Sequence, residues 1–449
     1  MAHSTLTVAK HQYLRAFHAL FPARLLRRAV AAGPRATRDR KVPLYRLLGV
    51  LLTWFIKAEL GLPAVYRWLL HDNDCPMAEP SLYLARGRLG WAPFRWLRQH
   101  VLRPLANRQH DASAFYHGWH LLAIDGTTFT LADTPANERS FGRAKNQHRA
   151  GGYPLARIVA VCEVGTHALI DWVARSYRRS EHDLARRLLR RVPAGSLLLA
   201  DRNFHSFDLW QTAQAGGYEL LIRVQKGPKL PRHAVLPDGS YLSRVYPRRG
   251  PNKKARAITV RVIHYQWTDE QGRVHTARLV SSLLDATAHP AAELVELYHR
   301  RWEHELVFAE IKGQLAGRPM QVRAKDPVRV MQEVDALLLG HYTVRWVMLQ
   351  AARAAEVPAT TLSFRGSLRV LEVRLARIPA RPAGATRWWP RWWAELLAAI
   401  SREQLRPRGK RRCPRARKVT RSHWPTKKGQ KEGMIPKLEI VLAAAGASP

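Results

Sequence analysis

The sequence predicts an α/β chain: a mixed sheet flanked by helices and interrupted by a β-rich insertion, with a helical domain before it and a basic tail after it. Three observations carry this. Between residues 119 and 224, short apolar runs and helical patterns follow one another in the order β-β-β-α-β-α-β. From about residue 227 to 284, prolines and glycines punctuate alternating, strand-like runs. Residues 290–315, PAAELVELYHRRWEHELVFAEIKGQL, then have no Pro after the first position and no Gly before Gly313, which predicts one helix of about seven turns.

Taken in order, residues 1–115 read as a helical domain suited to DNA contact. Apolar residues recur at helical spacing over 13–32, 44–60 and 86–105, with breaks at Gly33-Pro34 and Gly61-Leu62-Pro63. Arg24, Arg27, Arg28, Arg35, Arg38 and Arg40 lie along it. Residues 116–227 form the first part of the α/β domain. HLLAIDG, ending at Asp125-Gly126, reads as a buried strand and then a turn; LARIVAVCEV and ALIDWVA follow, split by a turn at Gly165-Thr166. A helix over 181–191 leads to GSLLLA, another buried strand, which ends in Asp201. Residues 228–287 are the β insertion, and 288–355 return to the α/β domain with a further apolar helix over 328–355. Residues 356–449 hold four tryptophans, Trp388, Trp389, Trp392 and Trp393, then a Lys- and Arg-rich stretch over 406–431 without an acid. That stretch is expected to be extended and suited to phosphates.

The charge balance narrows the partners. There are 74 Lys+Arg against 34 Asp+Glu in 449 residues, a formal net charge of +40. A field of that size implies an extended polyanion, most simply DNA or RNA, with membrane phospholipid as the rival. No apolar run approaches the ~20 residues a membrane span needs, and the opening residues MAHSTLTVAKHQYL lack the long apolar run expected of a signal peptide. Cys75, Cys162 and Cys413 are isolated, so neither a disulfide framework nor a zinc site is indicated. The expected compartment is reducing and contains nucleic acid, as the cytoplasm does.

On the helix over 290–315, four polar residues stand out: Tyr298, Arg301, Glu305 and Lys312. At 100° per residue an unbroken helix places all four within roughly 60° of one another, beside the apolar face. An Arg–Glu pair four residues apart contributes by itself only a few tenths of a kcal/mol to a helix surface, so its interest depends on acids elsewhere. Asp125 and Asp201 supply them, each closing an apolar run. If the first three strands form a meander and the fourth returns beside the first, the ends of strands one and four are neighbours. Three carboxylates converging in so basic a protein make a hard-oxygen site for Mg²⁺ or Mn²⁺. Two such ions, roughly 3.5–4 Å apart, can clamp both oxygens of a phosphodiester displacement.

These residues resemble the DDE transposases of the insertion-sequence-four family, whose catalytic domain is ribonuclease-H-like and carries a β insertion. The family's helical signature is Tyr, two residues, Arg, three residues, Glu, six residues, Lys; Tyr298, Arg301, Glu305 and Lys312 match it without a shift. IDGTT around Asp125 and ADRNF around Asp201 are similar to the contexts of its two aspartates. The likeness covers roughly residues 10–355. It implies that Asp125, Asp201 and Glu305 ligate two Mg²⁺ (or Mn²⁺) ions and catalyse cleavage of transposon ends, followed by attack of the freed 3′-hydroxyl on target DNA. It also implies that Tyr298, Arg301 and Lys312 hold DNA phosphates, with Trp302 available to stack on a displaced base. Partners would be the terminal inverted repeats, target DNA and a second copy of the chain. The rivals are an inactive DNA-binding derivative and a metal-dependent nuclease that cuts without joining. Glu310, about 140° from Glu305 on an unbroken helix, is set aside as the third acid.

Overall fold

The computed structural model describes residues 17, 19–34, 43–54, 62–66, 78–146, 149–150, 152–225, 227–247, 254–268, 272–315, 322–378, 385–405 and 441–442. Arg35, Arg38, Arg40 and the basic stretch over 406–431 lie outside them. The chain divides into two compact units. The first comprises Met1–Leu199, Thr212–Tyr218 and Arg300–Gln404; the second comprises Ala200–Gln211, Glu219–His299 and Leu405–Pro449.

In the first unit, helices α1 (Ala23–Ala31), α2 (Leu44–Thr53), α3 (Glu79–Leu89) and α4 (Ala92–Val101) precede the sheet. Strands β1 (Trp119–Thr130), β2 (Leu155–Glu163) and β3 (Leu169–Ser176) form an antiparallel meander. Helix α5 (Pro135–Phe141) lies between β1 and β2, and α6 (Glu181–Leu189) follows β3. Ser180 caps α6, its hydroxyl accepting from the Asp183 N–H at 3.1 Å. Strand β4 (Ser196–Ala200) returns beside β1, giving the order β3-β2-β1-β4. This is the arrangement expected of the ribonuclease-H-like class, a mixed sheet flanked by helices. Helix α7 (Phe207–Gly216) follows β4.

The apolar run around residue 340 becomes α10 (Pro327–Ala354), whose 28 residues are buried over most of their length. Asp326 caps it and Pro327 occupies its first position, where a missing N–H costs nothing. Helices α11 (Phe364–Ala376) and α12 (Ala385–Ser401) pack on α10. Trp388, Trp389, Trp392 and Trp393 cluster on α12, and Trp393 meets Trp346 of α10 at 5.6 Å between ring centres.

The second unit holds strands β5 (Glu219–Val224), β6 (Tyr241–Val245), β7 (Ile258–Thr268) and β8 (Val274–Ser281), ordered β5-β8-β7-β6 with antiparallel neighbours throughout. Helix α8 (Ala291–His299) follows β8. Arg261, fully buried on β7, donates to Ser240 Oγ at 2.8 Å and to the His289 carbonyl at 2.6 Å, and pairs with Asp238. Asp238 in turn accepts from the Ala291 N–H at 2.9 Å, placing a carboxylate at the N-terminus of α8.

Two expectations need correction. The strand carrying Asp125 does not end in a turn: β1 pairs with β2 without interruption from Leu122 to Thr130, Asp125 lying opposite Ala160. Gly126 serves close approach instead of a turn. A Cβ there would lie 2.8 Å from Glu181 Oε1, so glycine lets the Glu181 carboxylate at the start of α6 lie against the strand, and a larger residue would have to push that side chain aside. The long helix is also broken. It ends at His299 and resumes as α9 (Trp302–Ala309), which runs into a π-helical turn over Glu310–Leu315. The break and the turn follow from where the polar side chains must go. Arg300 donates to the Ser113 carbonyl, His304 is buried against β2, and Glu310 is buried against α10.

Candidate active site

In the first unit, Arg301 gathers two of the expected acids. Its guanidinium lies 3.5 Å from Asp125 Oδ2 and donates to Glu305 Oε1 at 3.1 Å. Asp125 projects from β1 and Glu305 from α9, so a strand and a helix distant in sequence meet on one cation. Arg301 is 12 % exposed, Asp125 22 % and Glu305 40 %, so the pair opens toward solvent on the Glu305 side.

The approach of α9 to the strand is fixed by a residue the sequence did not single out. His304, fully buried, donates from Nε2 to the Ala160 carbonyl at 3.0 Å, and Ala160 is the residue opposite Asp125. Burial holds the His304 imidazole below its ordinary pKa, so it is neutral and acts as a donor there. A histidine between two glutamates on a helix gives little sign of this role, since its partner is a backbone carbonyl.

A second group lies behind the same helix. Glu310 is paired with Arg345 and accepts from His341 Nε2 at 2.9 Å. Arg345 Nη2 donates to His167 Nδ1 at 2.6 Å. Since that nitrogen accepts, His167 carries its proton on Nε2 and gives it to Glu303 at 2.5 Å. Burial alone would raise the Glu310 carboxyl, but the Arg345 guanidinium and the hydrogen bond from His341 hold it well below the usual range. Glu310 is thus committed to α10 even though the helix breaks. The readable sign was His341 and Arg345, four residues apart in a predominantly apolar stretch of the helix over 336–349.

The remaining expected residues fall as follows. Asp201 caps the short 3₁₀ turn Arg202–Phe204, its Oδ1 accepting from the Arg202 N–H at 2.6 Å. Asp125 makes the same contact with its own successor, Gly126, at 2.7 Å. Tyr298 is buried in the second unit and donates its hydroxyl to the Ala200 carbonyl at 3.4 Å, beside Asp201. Lys312 stands on the π turn, half-buried, its amine pushed below the ordinary lysine value by that burial. Trp302 opens α9, and its side chain lies outside the described residues. Among the described residues no three His, Cys, Asp or Glu side chains stand together as a metal-binding group. Asp125 and Glu305 do offer carboxylate oxygens, the donor type a hard divalent ion takes, and in this structure both face the Arg301 guanidinium.

A strand carboxylate and a helix carboxylate thus meet on one guanidinium beside a mixed sheet flanked by helices, and comparison with known proteins gives the class of the chain. The family described as Transposase DDE domain matches residues 120–334. The chain is 31% identical over 222 residues to the putative transposase InsZ of Escherichia coli (strain K12), covering 48% of this chain and 69% of that protein. It is 27% identical over 424 residues to the transposase InsG for insertion sequence element IS4 of the same organism, covering 91% of this chain and 92% of the relative. A cryo-EM structure of the piggyBac transposase synaptic complex with hairpin DNA aligns at a TM-score of 0.45 and 12% identity, covering 86% of this chain and 85% of that one. The chain belongs to the DDE transposases of the IS4 type. No helix among the described residues is long and apolar enough to cross a membrane.

Proposed function

We propose that this transposase cuts the ends of its element and joins the freed 3′-hydroxyl to target DNA, using Asp125, Asp201 and Glu305 as its catalytic acids. The observation that carries the reading is the pairing of Asp125 and Glu305 on one guanidinium. Arg301 holds the two carboxylates near one another, and their oxygens, with those of Asp201, are of the hard type that suits Mg²⁺ or Mn²⁺. When bound, such ions would stabilise the charge that develops on the attacking and leaving oxygens. The protein's own part is positioning. His304 holds α9 on β2 so that Glu305 faces Asp125. Arg301 and Lys312 supply positive charge for the non-bridging oxygens of the scissile phosphate, where fixed cations favour the transition state. Tyr298, bonded to Ala200, steadies the backbone that carries Asp201. Trp302 is offered as a stacking surface for a displaced base. Cleaving and joining two ends calls for two copies of the chain at the synapse, and the site of action is the bacterial nucleoid.

The test uses the purified full chain, DNA carrying the flanking inverted repeats, a target plasmid and Mg²⁺. Wild-type protein is expected to cut and join, while Glu305→Gln binds the ends with unchanged affinity and does neither. Cutting without joining by the wild type would reduce the protein to a nuclease. Full cleavage by Glu305→Gln would remove Glu305 from the catalytic set.

A further inference from the structure

The first unit carries a concentration of arginines away from Asp125 and Glu305, assembled from three elements around Trp91. The guanidinium of Arg95, on α4, lies 5.4 Å from the centre of the Trp91 ring, and that of Arg175, on β3, lies 5.6 Å from it. Trp91 cannot turn aside: its Nε1 donates to Asp335 Oδ2 at 2.6 Å, and Asp335 is fully buried on α10. The other Asp335 oxygen accepts from Trp172 Nε1, also at 2.6 Å. Arg187, exposed on α6, adds a third guanidinium whose charge acts on Arg175.

The acids nearby do not balance this charge. Asp171 is taken by Arg98 at 3.5 Å and by Arg191 at 2.7 Å. Asp335 lies 4.0 Å from Arg98, and burial raises the carboxyl of each of these aspartates, disfavouring its charged form. Among the described residues, none of Arg95, Arg175 and Arg187 has a carboxylate partner. Burial, and then the charges of Arg187, Arg98 and Arg95, disfavour the charged form of Arg175, and the buried Asp335 offsets them only in part. A fold that crowds three cations against each other is under electrostatic tension that an anion would relieve.

We propose that Arg95, Arg175 and Arg187 form a phosphate-binding seam that grips the backbone of duplex DNA without reading its sequence. This rests on the chain being a DNA transposase, and it adds a surface to the reading above. The occupant is a duplex because the cations span a helix, a strand edge and a second helix, which matches successive phosphates better than one small anion. The grip is independent of sequence because the seam presents guanidiniums and a ring whose only polar atom is already spent on Asp335. Three phosphate contacts would contribute equally to terminal-repeat DNA and to arbitrary target DNA.

The experiment measures binding of the full chain, without divalent metal, to two short labelled duplexes, one of random sequence and one carrying the terminal repeat, between about 50 and 200 mM salt. The Arg95→Ala/Arg175→Ala/Arg187→Ala variant should lose affinity for both duplexes alike. Its slope of log affinity against log salt should fall by about 2–3, roughly 0.9 for each phosphate left without its guanidinium. The corresponding triple Lys variant should retain most of the slope. Should the triple Ala variant fail to fold, Arg187→Glu, changed at an exposed position, is expected to weaken both duplexes alike. An unchanged slope, or a loss confined to the terminal-repeat duplex, would overturn the proposal. Metal-dependent cleavage separates the two readings: cleavage by wild type with an unchanged slope in the variant sinks the seam alone, and a reduced slope in a chain that never cleaves sinks the catalytic reading alone.

Discussion

At the scale of single residues, what looks like turn chemistry proves to be steric. Gly165, in a Gly-Thr pair that reads as a turn, sits where a Cβ would fall 2.6 Å from the Ala114 Cα and 2.7 Å from its backbone nitrogen. Backbone cannot swing aside as a side-chain tip can. Gly165→Ala should therefore cost about 1–3 kcal/mol, the usual penalty of overpacking. Urea unfolding checks this, and a variant as stable as wild type would mean that the β2–β3 turn does not rest on Ala114. Gly126 differs, because its close neighbour is the movable carboxylate of Glu181. Asp125 and Asp201 illustrate a further point at this scale. Each accepts a hydrogen bond from the amide of the next residue, so each carboxylate is held before any ligand arrives.

At the scale of elements, α9 is the piece on which the site depends, and it is held from two sides. His304 fastens it to β2, while Glu303 and Glu310 tie it and the following π turn to His167, His341 and Arg345. Removing one member of a buried ion pair leaves the other charge uncompensated, which typically costs about 3–5 kcal/mol. Glu310→Gln is expected to lose that much by leaving Arg345 buried without its counter-charge. Changing Glu310→Leu and Arg345→Met together should lose markedly less. Chemical denaturation of the single and double variants measures the difference, and equal losses would show that the two groups do not act as a pair. The helix also marks where periodicity fails. Pattern and propensity predicted one continuous element over 290–315, because local sequence contains no breaker. The break at Arg300 and the π turn at Glu310 were imposed by Ser113, Ala160 and Arg345, all remote in sequence.

At the scale of the whole molecule, buried titratable groups set the acid limit. His205, His264, His299, His304 and His341 are all held below the usual imidazole value, with burial the leading cause. Their neutral forms are the ones the fold accepts. The stability they contribute is complete above the unfolded value of about 6.5 and is lost as pH falls below it. Glu303 and Glu310 are depressed by their partners against the upward push of burial, so their contribution is lost at still lower pH, beginning near the free carboxylate value of about 4.3. Asp171 and Asp335, raised by burial, act in the opposite sense and soften the fall. Thermal unfolding between pH 7.5 and 4 (about the range these values span) should show a first decline from about pH 6.5 and a second toward pH 4. A flat profile down to pH 5 would contradict the neutral, buried histidines.

The sequence alone determined the class of sheet and the identity of the helix signature. Apolar runs fix strands because only burial satisfies them, and the order of runs and helices leaves few ways to close a sheet around β1. The spacing of Arg301 and Glu305, one helical turn, survives in the structure because that relation is local. Asp125 joining them is different: the pairing crosses most of two hundred residues, and only the packing of α9 on β2 through His304 brings it about. The broken helix, the strand running through Asp125 and the buried partners of Glu310 were likewise decided by tertiary structure. Each depends on a residue far along the chain whose pull on the backbone exceeds the weak preferences of the local sequence.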